Sequence, residues 1–113
     1  KPGLGNKKTY QMDSANRKEA INEVHADINE GADIIMIKPG IAYLDIVREI
    51  RDSTNTPLAV YQVSGEYSML KAAAKLNWIN HNEVMMEQLI SIKRAGANMI
   101  ASYFVKDAIK LIS

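Results

Sequence analysis

The sequence predicts an α/β fold in which parallel strands alternate with helices. Three observations support this prediction: short apolar runs recur along the chain, stretches with helical spacing of apolar residues separate them, and a glycine-led motif repeats. The repeat is "GADIIMIK" from Gly31 and "GANMIASY" from Gly96. The predicted order α-β-α-β-αα-β-α needs helical crossovers between strands, which are typical of parallel sheets.

The beginning of the chain combines a polar loop with a helix. Residues 1–12 are polar and glycine-containing, which indicates a loop. Asp13 or Ser14 can cap the helix that follows, and Gly31 is well placed to end it in a left-handed conformation. The apolar positions of this helix form one stripe: Ala20, Ile21, Val24 and Ile28.

Three strands and four further helices follow. The runs "DIIMIK", "LAVYQV" and "NMIASYF" predict the strands. Amphipathic spacing and polar breaks predict the helices, around residues 43–50, 66–76, 82–95 and 105–112. We therefore expect residues 13–113 to hold one helix and three strand-helix units.

The bulk composition excludes several classes of function. The 113 residues are 47% hydrophobic and 24% charged, with a net charge of +1. That balance gives no electrostatic footprint for nucleic acid or for a membrane surface, and no apolar run is long enough to span a bilayer. There is no cysteine, and no signal peptide or other address signal is visible. A cytoplasmic location is the default expectation, and a start at Lys1 suggests a fragment.

Polar side chains follow all three predicted strands. Lys38 lies seven residues after Gly31, and Tyr103 lies seven after Gly96. Ser64 lies seven after Pro57, which precedes the middle strand. We expect these three side chains at comparable heights, at the carboxyl ends of the strands where α/β folds bind ligands. Three strands do not close an eight-stranded barrel, so an apolar strand edge is expected to be uncovered.

The lysine after the first strand suggests covalent chemistry. Strand alternation puts Ile34, Met36 and Lys38 on one face. If that face lines a barrel, burial lowers the pKa of Lys38 and leaves a neutral amine that can form a Schiff base with a ketone or aldehyde. The alternative is a strand-end lysine that extends into water.

Other polar residues have simpler interpretations beside the functional ones. Ser64 can cap the helix that follows it. His25 and His81 have no acidic or cysteine partner at ligand spacing and are expected at the surface. Lys7 lies in a loop with a neighbouring lysine, a pair that does not make a phosphate cradle. Met85 and Met86 are expected in the core.

Four segments together resemble a known family. "KTYQMD", "GADIIMIKPGIAYLDIVREIR", "AVYQVSGEYSML" and "SIKRAGANMIASYF" are similar to the C-terminal part of the delta-aminolevulinic acid dehydratases, or porphobilinogen synthases. The resemblance implies a (β/α)8 TIM barrel, of which residues 1–113 would form the last part of a single catalytic domain, with residues 1–12 as an active-site loop. It also implies the activity: two Schiff-base lysines condense two molecules of 5-aminolevulinate into porphobilinogen, with loss of two waters.

The resemblance assigns roles to individual residues. Lys38, in "MIKP", corresponds to the lysine of the second binding position, the A site. Gln11 corresponds to a residue that holds the A-side carboxylate, and Ser64 and Tyr103 to the hydroxyl pair that binds the P-side carboxylate. Lys7 stands where most members have arginine, so it supplies charge without a planar two-pronged grip, which weakens its assignment as a substrate ligand.

The resemblance also implies metals and an assembly. Members of the family use zinc held by cysteines or magnesium without it, and form homo-octamers. Glu23 lies where some members place an allosteric magnesium ligand, and a solvated helix carboxylate is the alternative interpretation. The other Schiff-base lysine and the catalytic metal ligands are expected upstream of Lys1, so the isolated fragment is predicted to be inactive.

Two alternatives remain open from the sequence. One is a different Schiff-base lyase of the aldolase type on the same barrel, although "VSGEY" and "SYFVKD" lack its phosphate-binding glycine loop. The other is a non-catalytic packing module whose three-stranded sheet is completed by another copy.

Overall fold

The computed structural model describes residues 17–112. Helices and strands alternate in the order α1, β1, α2, β2, α3, α4, β3, α5. Their bounds are α1 Arg17–Asn29, β1 Ile35–Ile37, α2 Leu44–Ser53, β2 Leu58–Gln62, α3 Ser64–Lys75, α4 His81–Ala95, β3 Met99–Ser102 and α5 Val105–Ile112, with a 3₁₀ turn at Ile41–Tyr43 before α2. The predicted order is confirmed, while the predicted loop at 1–12 and the predicted caps Asp13 and Ser14 lie outside the described residues.

The three strands form one parallel sheet in the order β1-β2-β3. Ile37 pairs with Val60 across β1 and β2, and Gln62 pairs with Ser102 across β2 and β3. This confirms the parallel strands with helical crossovers that the alternation of elements predicts. It also brings the carboxyl ends of all three strands to one edge of the sheet.

One face of the sheet is covered by helices. Ile35 and Ile37 of β1 are 1% exposed, and Leu58 and Val60 of β2 are fully buried. Burial of each such side chain contributes on the order of 2 kcal/mol, so this layer stabilises the contact between the sheet and its helices. The helices contribute the stripes that their spacing predicts, namely Ala20, Ile21, Val24, Ile46, Val47, Ile50 and Ile92.

The other face of the sheet has no helical cover within the described part of the chain. Ile34 is 42% exposed and Met99 is 44% exposed, while Met36 is half-buried. The alternation predicted for the first strand is therefore confirmed, with its odd-numbered residues against the helices and its even-numbered residues on this open face. A (β/α) barrel directs such a face to its interior.

A second apolar cluster lies where α3, α4 and α5 meet. Its fully or nearly fully buried members are Leu70, Met85 and Phe104, which confirms the core position predicted for Met85. Met86 is only partly buried and packs against the edge of this cluster, because the next residue along α4 points away from its centre. Helix α5 itself has no buried residue, and Ile109 is 54% and Ile112 71% exposed. The apolar stripe of α5 is thus largely uncovered by residues 17–112.

The repeated glycines occupy equivalent conformations. Gly31 has a φ of +97° and Gly96 a φ of +130°, each just after a helix and before a strand. Glycine reaches such positive φ values without the steric cost that a side chain brings. The prediction that Gly31 ends the first helix in a left-handed conformation is confirmed. No helix among the described residues has the length and apolarity needed to cross a bilayer.

Candidate active site

Each strand delivers one predicted site residue near its carboxyl end. Lys38 follows β1 directly, Tyr103 follows β3 directly, and Ser64 is the first residue of α3, after β2. The prediction of a shared edge is confirmed, but the register staggers the residues. Since Ile37 pairs with Val60, Lys38 continues at the level of Tyr61, whereas Tyr103 continues two residues higher, at the level of Val63. The expectation of comparable heights is thus corrected to an offset of two residues between Lys38 and Tyr103 along the strand direction.

Lys38 and Tyr103 are connected through a third residue, Tyr61. The Lys38 Nζ lies 5.3 Å from the centroid of the Tyr61 ring, within the range of a cation–π contact. The Tyr61 hydroxyl donates a hydrogen bond of 3.2 Å to the Tyr103 hydroxyl. This hydrogen bond raises the pKa of Tyr61 above its ordinary value, and partial desolvation acts in the same direction. One side chain from each strand thus meets on the open face.

Tyr61 does not stand out as a site residue in the sequence. Its position became visible only once the register was known, because Lys38, Tyr61 and Tyr103 come from three strands that are separated by helices. The one signal in the sequence was strand alternation. Tyr61 and Val63 are two residues apart on the strand that leads to "SGEY", so their side chains are expected on the same face. Tyr103 also packs against Tyr67, with the ring centroids 5.6 Å apart.

Ser64 does not cap the helix it begins. The residue at the cap position is Val63, whose side chain has no acceptor, and the Val63 amide donates instead to the Glu66 carboxylate at 2.9 Å. The capping interpretation of Ser64 is therefore wrong, because α3 starts one residue earlier than a serine cap requires. Ser64 is exposed, and its hydroxyl has no hydrogen bond to any residue between 17 and 112.

A network of hydrogen bonds joins the last residues of β2 and β3. Gln62 is fully buried; its amide nitrogen donates to Gln88 at 2.6 Å and its carbonyl oxygen accepts from Ser102 at 2.7 Å. The Ser102 hydroxyl in turn accepts from the Phe104 amide at 3.0 Å. Because a buried polar group without a partner is costly, this network resists displacement of the ends of β2 and β3.

The remaining predicted residues are not brought to this edge by the described part of the structure. Gln11 and Lys7 lie outside the described residues. Glu23 is a half-buried residue of α1, and its predicted magnesium role stays a prediction. His81 is not the surface residue expected, since its side chain is 25% exposed and its Nε2 lies 3.7 Å from Asp107.

The described residues do not provide a metal site by themselves. No three or more histidine, aspartate or glutamate side chains between 17 and 112 lie close enough together to hold an ion. Residues 17–112 therefore do not supply the ligands of the catalytic zinc or magnesium that the resemblance implies.

Fold and site together define a class of protein: parallel strand-helix units, of the kind that build (β/α) barrels, with a half-buried lysine and tyrosine hydroxyls at their carboxyl edge. The model of the delta-aminolevulinic acid dehydratase family matches residues 1–111. The chain belongs to the delta-aminolevulinic acid dehydratase family.

Individual relatives agree with this assignment. Delta-aminolevulinic acid dehydratase of Staphylococcus aureus (strain Mu50) is 56% identical over 106 residues, which are 94% of this chain and 33% of that protein. The Staphylococcus epidermidis protein (strain ATCC 12228) is 54% identical over 106 residues, with the same coverage of 94% and 33%. The chain thus spans about a third of the curated relatives it matches.

A solved structure shows the same fold. The Toxoplasma gondii ME49 delta-aminolevulinic acid dehydratase, in complex with the reaction product porphobilinogen, superposes with a TM-score of 0.87 at 49% identity. The match covers 94% of this chain and 30% of that one. The predicted fold, strand-helix units that form part of a TIM barrel, is confirmed. Membership of the family sets aside the aldolase-type alternative.

Proposed function

We propose that the protein carrying this chain is a porphobilinogen synthase, a lyase that condenses two molecules of 5-aminolevulinate into porphobilinogen and releases two waters in heme and tetrapyrrole biosynthesis. Family membership and the relative bound to porphobilinogen support this proposal. The observation that carries it is the placement of the Lys38 amine on the open face of the sheet, 5.3 Å from the Tyr61 ring.

Lys38 is proposed to form the covalent bond to the A-side substrate. A neutral amine attacks the ketone carbon of 5-aminolevulinate, and the carbinolamine expels water to give an iminium. The iminium withdraws electrons and acidifies the adjacent carbon, which prepares it for bond formation. The chemistry requires a lowered pKa for Lys38, and that requirement stays a prediction that closure of the barrel over the open face would satisfy.

Hydroxyl and amide groups are proposed to hold the substrate carboxylates. Ser64 and Tyr103 would bind the P-side carboxylate, and Gln11 the A-side carboxylate. The Ser64 hydroxyl supports this role, since no residue between 17 and 112 takes up its hydrogen bond. Fixed carboxylates align the two substrates and reduce the entropic part of the barrier. Lys7 is a weaker candidate for the same task.

Assembly, metal use and location complete the proposal. By family resemblance the protein would be a homo-octamer that uses zinc or magnesium, with Glu23 as a ligand of an allosteric magnesium at a subunit contact. A cytoplasmic location, the default expectation from the sequence, is part of the same proposal. The other Schiff-base lysine and the catalytic metal ligands are proposed to come from outside the 113 residues.

Trapping of the imine tests the role of Lys38 directly. The complete gene product is incubated with 5-aminolevulinate and borohydride, digested, and analysed by mass spectrometry. We expect a reduced adduct on the peptide that contains Lys38. Lys38→Met should lower porphobilinogen formation by on the order of a thousandfold or more, because removal of a covalent nucleophile eliminates its pathway.

Lys75 provides the matched control, since it is an exposed lysine in the last turn of α3. Lys75→Met should retain both the adduct on Lys38 and the wild-type rate. An unmodified Lys38 peptide in a wild-type enzyme that turns over, or a Lys38→Met variant with the wild-type rate, would contradict the assignment. The isolated 113-residue chain is expected to give no colour with Ehrlich reagent.

A further inference from the structure

Three backbone amides from two separate segments converge on the carboxylate of Glu66. One oxygen, Oε1, accepts from Gly40 at 3.0 Å and from Val63 at 2.9 Å. The other oxygen, Oε2, accepts from Ile41 at 2.7 Å. Glu66 is 8% exposed, so these bonds are shielded from water. Hydrogen bonds from amides to a charged carboxylate are shorter and stronger than those between neutral groups.

All three amides are ones that their own segments leave without partners. Gly40 and Ile41 stand at the start of the 3₁₀ turn, and Val63 stands at the start of α3. The first amides of a helix have no carbonyl to bond within that helix. A single carboxylate therefore accepts from the first amides of the 3₁₀ turn and of α3, and the positive end of α3 favours its charge.

These two segments carry the residues of the proposed reaction. Gly40 and Ile41 follow Lys38 and Pro39, and Val63 precedes Ser64. We propose that Glu66 is a positioning residue that holds the amine of Lys38 in register with the hydroxyl of Ser64, an inference that rests on the proposed function. Glu66 accepts hydrogen bonds from Gly40 and Ile41, which lie 26 and 25 residues before it in the chain.

The packing around Gly40 leaves little freedom for this connection to shift. A Cβ added to Gly40 would lie 3.2 Å from side-chain atoms of Ile92 and of Val60, and 3.6 Å from Glu66 Oε1. These separations are tight or ordinary van der Waals contacts, so the turn sits directly against the core. The carboxylate and the core thus fix the turn from two sides.

Helix capping alone does not account for Glu66. Glu83 occupies the same position in the first turn of α4, yet it is exposed, and there the Asn80 side chain accepts from the Glu83 amide at 3.0 Å. Both glutamates place negative charge at a helix start, but Glu66 alone of this pair reaches a second segment. Glu83 is therefore the matched control.

The test compares Glu66→Gln with Glu83→Gln in the complete gene product. Glutamine has one acceptor oxygen, so its NH2 group must face at least one of the three amides. We expect Glu66→Gln to lower kcat by about 10- to 100-fold, because small displacements of reacting groups are costly. KM should change by less than about threefold, and borohydride trapping on Lys38 should slow in proportion to kcat while reaching the same final extent. Glu83→Gln should match the wild type in every respect.

The possible outcomes separate this inference from the proposed function. If wild-type Lys38 gives no adduct, the proposed function fails whatever Glu66 does. If Lys38 is trapped but Glu66→Gln has wild-type kinetics, the positioning role is overturned. Should Glu66→Gln fail to fold, Glu66→Asp, which keeps the charge but shortens the reach, must show the loss of kcat with a cooperative unfolding transition. Misfolding of both variants would overturn the inference, since the carboxylate would then serve the fold as a whole.

Discussion

The two ends of the same sheet each carry a half-buried cationic side chain, but they hold it in different ways. At the amino end, the Arg51 guanidinium donates to the carbonyls of Thr54 at 2.7 Å, Thr56 at 2.9 Å and Gly96 at 3.3 Å. It also donates to the side-chain oxygen of Asn98 at 2.7 Å. The planar donors of arginine suit such a set of acceptors.

At the carboxyl end, Lys38 faces an aromatic ring instead of a set of carbonyls. An arginine keeps its proton at any accessible pH, whereas a lysine can lose its proton when it is dehydrated. The difference shows how one fold separates two tasks: the amino end uses a permanent cation to connect loops, and the carboxyl end holds the amine that we propose as the nucleophile. This agrees with the general division between the stability and catalytic faces of (β/α) barrels.

Removal of the Arg51 guanidinium is expected to have the largest effect on stability at the amino end of the sheet. Arg51→Met keeps most of the stem but leaves four oxygens without their donor. We expect the free energy of unfolding of the complete gene product to fall by about 4 kcal/mol, measured by urea denaturation, with kcat unchanged.

Arg48 is the control for this change. It forms an exposed ion pair with Asp52 one turn along the same helix. Arg48→Met should leave the urea midpoint unchanged, because exposed pairs of this kind contribute little. Equal midpoints for the two variants, or a loss of kcat in Arg51→Met, would contradict the division between the two ends.

Alanine substitutions at Gly31 and Gly96 can separate the energetic cost of a steric clash from the cost of a positive φ. A Cβ on Gly96 would lie 2.6 Å from Arg51 Cβ and Cγ, whereas a Cβ on Gly31 would meet nothing within 4 Å. Gly31→Ala should therefore cost only the strain of its positive φ, about 1 kcal/mol. Gly96→Ala should cost about 3 kcal/mol, since it adds overlap with the base of a side chain that cannot move away. Equal thermal shifts for the two variants, measured by calorimetry, would mean that Arg51 is not pressed against this turn.

The smallest expected effect is a pH dependence confined to the helices at the carboxyl end. Lys71 donates to Asp107 at 3.0 Å, which joins α3 to α5. This hydrogen bond, with the nearby charges of Lys71, His81 and Lys110, holds the pKa of Asp107 below 3.8 despite partial burial. A lowered carboxyl pKa contributes stability that is fully present above pH 3.8 and is lost as the pH falls through the folded-state value.

Urea midpoints of wild type and Asp107→Asn should therefore differ at about pH 5 and converge toward about pH 3. Arg51→Met should show the same deficit at both pH values, because all its acceptors are uncharged. A constant difference between Asp107→Asn and wild type would show that the ion pair with Lys71 contributes nothing to stability.

Local patterns were enough to predict most of the secondary structure. The stripe of Tyr43, Ile46, Val47 and Ile50 predicts a helix, and all four are buried. The strand boundaries were less accurate, since the first strand covers Ile35–Ile37 instead of residues 33–38. Strand ends depend on which neighbours offer hydrogen bonds, and a single run of apolar residues does not contain that information.

The candidate site was predictable from the sequence where a single residue was unusual for its position. Lys38 stands out because an amine at the end of an apolar run needs an explanation. Tyr61 and Glu66 do not stand out, since a tyrosine in a strand and a glutamate in the first turn of a helix are ordinary. Their partners, Tyr103 and Gly40, lie 42 and 26 residues away in the chain.

The sequence by itself determined the alternation of elements, the inward and outward faces of the strands, and the arrival of Lys38, Ser64 and Tyr103 at one edge. These follow from periodicity and from the direction of parallel strands, which are local properties of the chain. Only the tertiary structure decided the stagger between those residues and the contacts of the Tyr61 side chain with Lys38 and Tyr103. The same holds for the Glu66 carboxylate, which accepts from the start of the 3₁₀ turn and from the start of α3. Such contacts depend on register and on how the helices dock, and both are set by packing between segments far apart in sequence.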